Sequence, residues 1–184
     1  MRVFLGVFPS AEAQAAAAGL IERLRRPGDG VSWVKRENLH YTLRFMGELG
    51  ESGLARVAEA ARAGVAGHRR FEAALGEAGA FPSPKRARVL WLGLARGGEA
   101  LTVVADAVEQ ALRGWGFDRA DHRFTAHLTI GRVREREQDW SERLAGVGAE
   151  PAPFFTVDRV VVVQSTLSPK GSTYEVRAEA ALQS

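Results

Sequence analysis

His40-Tyr41-Thr42-Leu43 is answered 87 residues later by His127-Leu128-Thr129-Ile130, and the same offset lays Phe4-Leu5-Gly6-Val7 over Trp91-Leu92-Gly93-Leu94. A repeat of this size is sought before any single element, because it decides the architecture. Each half reads as a strand, an amphipathic helix and a strand carrying His-x-Thr-apolar, with further helix and strand behind it. The expectation is a single bilobal α+β domain spanning 1–184: a duplicated fold of two mostly antiparallel sheets, backed by helices, around a central cleft.

Around these motifs the pattern of apolar residues predicts the remaining elements. Arg2 to Phe8 reads as a strand, followed by a helix with Ser10 as N-cap and Ala13, Ala17, Leu20, Ile21 and Leu24 on one face. Pro27-Gly28-Asp29-Gly30 ends it. Extended segments follow at Val31 to Lys35 and Leu39 to Met46. Ser52 is the expected cap of a second helix with Leu54, Val57, Ala58, Ala61 and Val65 as its stripe. Strands are expected at Phe71 to Ala78 and Val89 to Leu94, on either side of a proline-containing loop. A third helix presents Leu101, Val104, Ala105, Val108 and Leu112. Strands at Ala126 to Val133, Phe154 to Gln164 and Thr173 to Ala180 complete the chain, with a short helix near Asp139 to Leu144.

Composition narrows the function. With 184 residues, 46% apolar and 26% charged, the chain can bury a core, and no apolar run reaches the roughly 18 to 20 residues of a membrane helix. The absence of cysteine removes disulfides, thiolate nucleophiles and thiolate metal sites, and makes the cytoplasm the expected compartment. Net charge is only +3, yet the sequence pI is near 9.8. Of 25 basic residues only Lys35, Lys85 and Lys170 are lysines, so 22 are arginines, planar partners for phosphate or carboxylate. Such a composition permits a polyanionic partner, and it equally follows from a GC-rich genome or adaptation to heat.

In a strand, residues i and i+2 share a face, so His40 and Thr42 point one way and Tyr41 and Leu43 the other; the same holds for His127 and Thr129. If the apolar positions pack under helices, two imidazoles and two hydroxyls converge on the opposite face. That set suits displacement at a phosphodiester. An in-line attack needs a base for the incoming oxygen and an acid for the leaving one, and imidazole near its ordinary pKa serves as either without metal. Threonine hydroxyls and an arginine can hold the non-bridging oxygens.

A single histidine in a strand is usually structural. With seven threonines and four histidines in the chain, however, two chance His-x-Thr matches occur on the order of once in a hundred, before the matched offset is counted. His68, beside Arg69-Arg70, reads as a surface residue and His122 as a structural one. Strand alternation favours Arg44, at +4 from His40, for the cleft side. Arg132, at +5 from His127, turns away unless the strand bulges near Gly131.

Three segments resemble the two-histidine phosphoesterase superfamily, and within it the RNA 2′,3′-cyclic phosphodiesterase or 2′-5′ RNA ligase family. They are Trp33 to Glu48, containing Leu39-His40-Tyr41-Thr42-Leu43-Arg44-Phe45-Met46-Gly47; Arg123-Phe124-Thr125-Ala126-His127-Leu128-Thr129-Ile130-Gly131-Arg132; and Ser165-x-Leu167-x-Pro169-x-Gly171-x-x-Tyr174. Arg88-Val89-Leu90-Trp91-Leu92-Gly93 is similar to the strand that opens the family's second half. Tyr41, Met46 and Ala126 depart from the usual residues without touching a functional side chain.

The resemblance implies His40 and His127 as catalytic residues, Thr42, Thr129 and Arg132 as substrate-binding residues, and neither metal nor cofactor. The reaction implied is hydrolysis of an RNA 2′,3′-cyclic phosphate terminus to a 2′-phosphate, with ATP-independent 2′-5′ ligation when an RNA 5′-hydroxyl attacks instead of water. His40 is favoured as acid and His127 as base. Arg132 thereby displaces Arg44 as the expected phosphate ligand. The implied partner is RNA, with no membrane association and a monomeric state. Alternatives are a related enzyme for small cyclic nucleotides or 2′-5′ oligoadenylates, and an RNA-binding module without turnover.

Overall fold

Two strand-rich halves meet in the computed structural model, which describes residues 1–184. In chain order the elements are β1 (Arg2–Val7), α1 (Ala11–Leu24), β2 (Val31–Trp33), β3 (Tyr41–Glu48), α2 (Glu51–Val65), β4 (Phe71–Phe81), β5 (Val89–Arg96), α3 (Gly98–Gly114), β6 (Leu128–Val133), α4 (Ser141–Leu144), β7 (Phe154–Val157), β8 (Arg159–Ser168) and β9 (Gly171–Ala181).

The helices form where the apolar stripes lie. Ser10 caps α1 by accepting from the Ala13 amide, and the five residues of its expected stripe are all buried. The stripes of α2 and α3 are buried in the same way. Two expectations fail locally. Gly50, not Ser52, is the N-cap of α2, so Ser52 lies inside the helix. The segment from Phe154 is two strands, because the chain breaks at Asp158 after pairing with β4 and resumes beside β1.

All strand pairs are antiparallel, in the order β7-β4-β5-β6-β3-β1-β8-β9, with β2 paired to β6. One half is therefore β3-β1-β8-β9 and the other β6-β5-β4-β7. The two expected sheets are one hydrogen-bonded sheet, joined between β3 and β6 by the single pair Tyr41 and Leu128. These two residues are 87 apart, as the repeat requires. On the first strands of each half the pairing is out of step with it. Val7 pairs with Tyr41, whereas Leu92 pairs with Leu128, an offset of 85. The shift is two residues, so the side chains keep their faces.

One face of the sheet carries Val3, Leu5, Val7, Leu90, Leu92 and Leu128 into the main core with the helices. The other face carries a small separate cluster of Phe4, Val161 and Val163, edged by Phe8 and Tyr174.

Candidate active site

His40 and His127 each sit one residue before a strand begins, and the Tyr41–Leu128 pair fixes how those strands meet. Tyr41 and Leu128 are buried under the helices. Alternation sends their neighbours to the opposite face. Continued one residue either way, the antiparallel register sets His40 across from Thr129 and His127 across from Thr42.

Both rings are locked by a backbone carbonyl two residues upstream. His40 Nδ1 lies 2.7 Å from the Asn38 oxygen, and His127 Nδ1 lies 2.8 Å from the Thr125 oxygen. A carbonyl only accepts, so each Nδ1 carries the hydrogen and each Nε2 is left for chemistry. His40 Nε2 lies 2.8 Å from Thr42 Oγ1. The turn that positions His40 is fastened from two sides: Asn38 Nδ2 donates to the Ser172 carbonyl at 2.8 Å, and Gln14 Nε2 to the Leu39 carbonyl at 3.0 Å.

Each imidazole also rests on an aromatic ring. His40 stacks on Phe4, with centroids 4.6 Å apart, and meets Tyr174 edge-on at 5.4 Å. His127 meets Phe81 edge-on at 5.1 Å. Gly6 makes the first arrangement possible. A Cβ there would stand 2.8 Å from the Tyr41 carbonyl oxygen and 3.4 Å from His40 Cδ2, so any side chain would push the histidine off its seat.

A cavity of about 830 Å³ opens over this face, walled by His40, Thr42, Thr129 and Arg132 among others. His127 is not among the residues that line it, but is near enough for its charge to be felt at His40. The His40 pKa is lowered, first by burial, which disfavours the imidazolium, and further by the positive charges of Arg132 and His127; the hydrogen bond to Asn38 works the other way. Burial raises the Tyr174 pKa against the pull of the same Arg132.

The two arginines are sorted by a pair of bulges. In β3, Leu5 pairs with Arg44 and Gly6 with Thr42, leaving Leu43 as the extra residue; in β6, Leu90 pairs with Gly131 and Trp91 with Thr129, leaving Ile130 extra. One residue past each threonine, the alternation is therefore inverted. Arg44 turns to the helix side, where it pairs with Glu109 and donates to the Asp118 carbonyl at 2.6 Å. The alternation argument that favoured Arg44 for the cleft fails for this reason. Arg132 turns into the cavity, and its counterpart in the first half is Phe45, an exposed ring on the same wall.

Of the other histidines, His68 is half-buried and His122 is exposed. Phe4, Phe45 and Asn38 also wall the cavity, and no strand or helix period marks them for it: Phe4 lies on the repeated strand, and Asn38 and Phe45 flank the first His-x-Thr motif.

The chain belongs to the 2′-5′ RNA ligase superfamily: the family model matches residues 9–168. Among its relatives, the RNA 2′,3′-cyclic phosphodiesterase of Thermotoga maritima is 32% identical over 97% of this chain and 94% of its own length. The protein of the same name from Archaeoglobus fulgidus is 35% identical over 95% of this chain and 97% of its own. Among solved structures, TT0787 of Thermus thermophilus is similar with a TM-score of 0.74 and 27% identity, covering 100% of this chain and 98% of that one. E. coli LigT complexed with 3′-AMP shares the fold at a TM-score of 0.80 and 22% identity, with the same coverage. No helix is long and apolar enough to cross a membrane.

Proposed function

We propose that this chain hydrolyses the 2′,3′-cyclic phosphate at an RNA terminus to a 2′-phosphate, without a metal ion. The observation that carries the reading is the matched pair of imidazoles, each with Nδ1 bonded to a backbone carbonyl two residues upstream and His40 Nε2 held by the Thr42 hydroxyl, meeting across one strand pair beside a cationic cavity. The names of the T. maritima and A. fulgidus relatives support the same substrate.

In the proposed reaction water attacks phosphorus, His127 Nε2 takes its proton, and the bond to the 3′ oxygen breaks as His40 Nε2 protonates that oxygen. The products are a 2′-phosphate and a 3′-hydroxyl. Thr42 and Thr129 donate to the non-bridging oxygens, and Arg132 balances the charge that builds on them. His40 is assigned to the leaving oxygen because the rings that wall the cavity beside it, Phe4, Phe45 and Tyr174, suit a nucleoside, whereas His127 does not line that cavity. An RNA 5′-hydroxyl in place of that water gives a 2′-5′ linkage without ATP. The chain acts in this reading as one bilobal domain, monomeric and cytoplasmic.

The test is incubation with an oligoribonucleotide ending in a 2′,3′-cyclic phosphate, in chelator, followed by identification of the terminal phosphate. A 2′-phosphate is expected. Binding without turnover, a 3′-phosphate product, or turnover of small cyclic nucleotides alone would replace this reading.

A further inference from the structure

The cavity holds more positive charge than its proposed reaction uses. Besides Arg132 it is walled by Arg2, Lys35 and Lys170, and although the chain has 22 acidic residues, no aspartate or glutamate lines it. None of the four cations forms an ion pair, so each is left for an anion that enters the cavity. Two of only three lysines in the chain are here.

Their placement is set by the fold. On β1, Arg2 continues the face that carries Phe4, and it pairs with Ser165 on β8. That strand runs on to the turn at Pro169-Lys170, closed by Ser168 opposite Gly171. A Cβ on Gly171 would lie 3.9 Å from Lys35 Nζ, so the Lys35 ammonium lies against this turn. Lys35 in turn directly precedes the turn that carries Asn38 and His40. Arg2 and Lys170 thus enter the cavity from the β1-β8-β9 half, and Lys35 reaches the same turn from the segment that follows β2.

A 2′,3′-cyclic phosphate carries one negative charge, which Arg132 and a protonated imidazole already meet. Three further unpaired cations match further phosphates. At about 830 Å³ the cavity is near the top of the range of about 300–1,000 Å³ for ligand pockets, leaving room beyond a terminal nucleotide. We propose that Arg2, Lys35 and Lys170 form a subsite for the internucleotide phosphates upstream of the reacting terminus, which makes this chain selective for oligoribonucleotides over cyclic mononucleotides.

The inference rests on the proposed function, and its test separates the two. Steady-state hydrolysis of a 2′,3′-cyclic mononucleotide and of a tetraribonucleotide with the same end is measured at 50 and 200 mM salt. Wild type, Lys35→Ala with Lys170→Ala, and Lys85→Ala are compared, Lys85 being the exposed lysine outside the cavity. Wild type should favour the tetranucleotide at least tenfold in kcat/KM at the lower salt. Three phosphate contacts on a single strand give a log–log salt slope of about −2, or roughly a sixteenfold loss over this range. The double variant should lose at least tenfold on the tetranucleotide through KM, with a slope shallower by about 1.4. On the mononucleotide it should change less than twofold, and Lys85→Ala should match wild type on both.

Equal losses on both substrates, an unchanged salt slope, or no wild-type preference would overturn the subsite. A second arm measures anisotropy of a labelled tetranucleotide ending in a 2′-phosphate. If wild type hydrolyses neither substrate, the function reading falls, and the subsite stands or falls on whether the double variant weakens this binding with the same reduced salt slope. A 5′-triphosphorylated mononucleotide competing as well as the tetranucleotide would assign the three cations to a nucleotide polyphosphate and overturn the RNA subsite.

Discussion

Arg44 and Glu109 tie the strand that follows His40 to the loop that delivers His127. The pair is largely shielded, with side-chain exposures of 12% and 25%, and each partner also grips that loop: Arg44 donates to the Asp118 carbonyl and Glu109 accepts from the Ala120 amide at 2.8 Å. Arg132, one bulge away in the other half, touches none of this.

The two arginines should therefore fail differently. Arg44→Ala is expected to cost about 2 kcal/mol of stability, the scale of a lost charged hydrogen bond in a partly buried site, seen as a lower urea midpoint. Arg132→Ala should leave that midpoint near wild type and lower kcat/KM on the cyclic phosphate. The reverse pattern would mean that the bulges do not sort the arginines as described.

Replacing His40 or His127 by alanine should slow the single-turnover chemical step roughly 100-fold to 10,000-fold, the span of a positioned acid or base. Thr42→Ala and Thr129→Ala should cost less, since each removes one hydroxyl contact. A folded histidine variant with near-normal single-turnover rates would remove that residue from the mechanism.

Turnover in EDTA should equal turnover in untreated buffer, because two imidazoles, two hydroxyls and a guanidinium supply the proton transfers and the charge. Loss of activity in chelator, restored by a divalent cation, would show otherwise.

The lowered His40 pKa gives pH dependence a direction. With His40 as acid, kcat/KM falls as pH rises through that lowered value, below the ordinary 6.5. A bound phosphate's negative charge raises it again, so the alkaline limb of kcat should lie at higher pH than that of kcat/KM. Stability moves with the same group. The unfolded chain holds the proton more tightly, so this contribution is full above about 6.5 and is lost as pH falls through the lower folded pKa. His40→Asn should flatten that slope in urea titrations taken at successive pH values, and an unaltered slope would assign it to another group.

Leu128→Ala should destabilise by about 2–5 kcal/mol, as a fully buried leucine truncation does. It should also lower kcat, because the strand pair it belongs to sets one histidine against the other. Lost stability with unchanged kcat would separate the core from the site.

Much of this was readable in the sequence because strand alternation is local. His40 with Thr42, and His127 with Thr129, needed only a period of two, and the stripes of α1, α2 and α3 only a helical one. The two arginines needed the bulges at Leu43 and Ile130, which arise from pairing with β1 and β5 and leave little trace in the strand itself; Gly131 was the one hint. The family motif placed Arg132 where alternation did not. Arg2, Lys35 and Lys170 line one cavity only because β1 pairs with β8 and the β8-β9 turn meets the segment after β2, which no sequence spacing encodes. Ser52 failed as a cap because pairing of β3 with β1 runs on to Glu48, and the helix starts at once behind it with Gly50 in the capping position.

Because the Asn38 and Thr125 carbonyls each hold one ring hydrogen, each imidazole can exchange only a single proton with the substrate. In the proposed reaction a completed hydrolysis thus returns the protein in a different form from the one that began it: His40 has given up a hydrogen and His127 has gained one. Before the next cyclic end can be opened, solvent or buffer must carry that hydrogen back. Until then the site is charged for the opposite direction, with a base beside the 3′-hydroxyl and an acid beside the departing oxygen. In that reading a freshly made 2′-phosphate, or a 2′-5′ linkage, meets a protein whose protons are placed for the reverse step until water resets them.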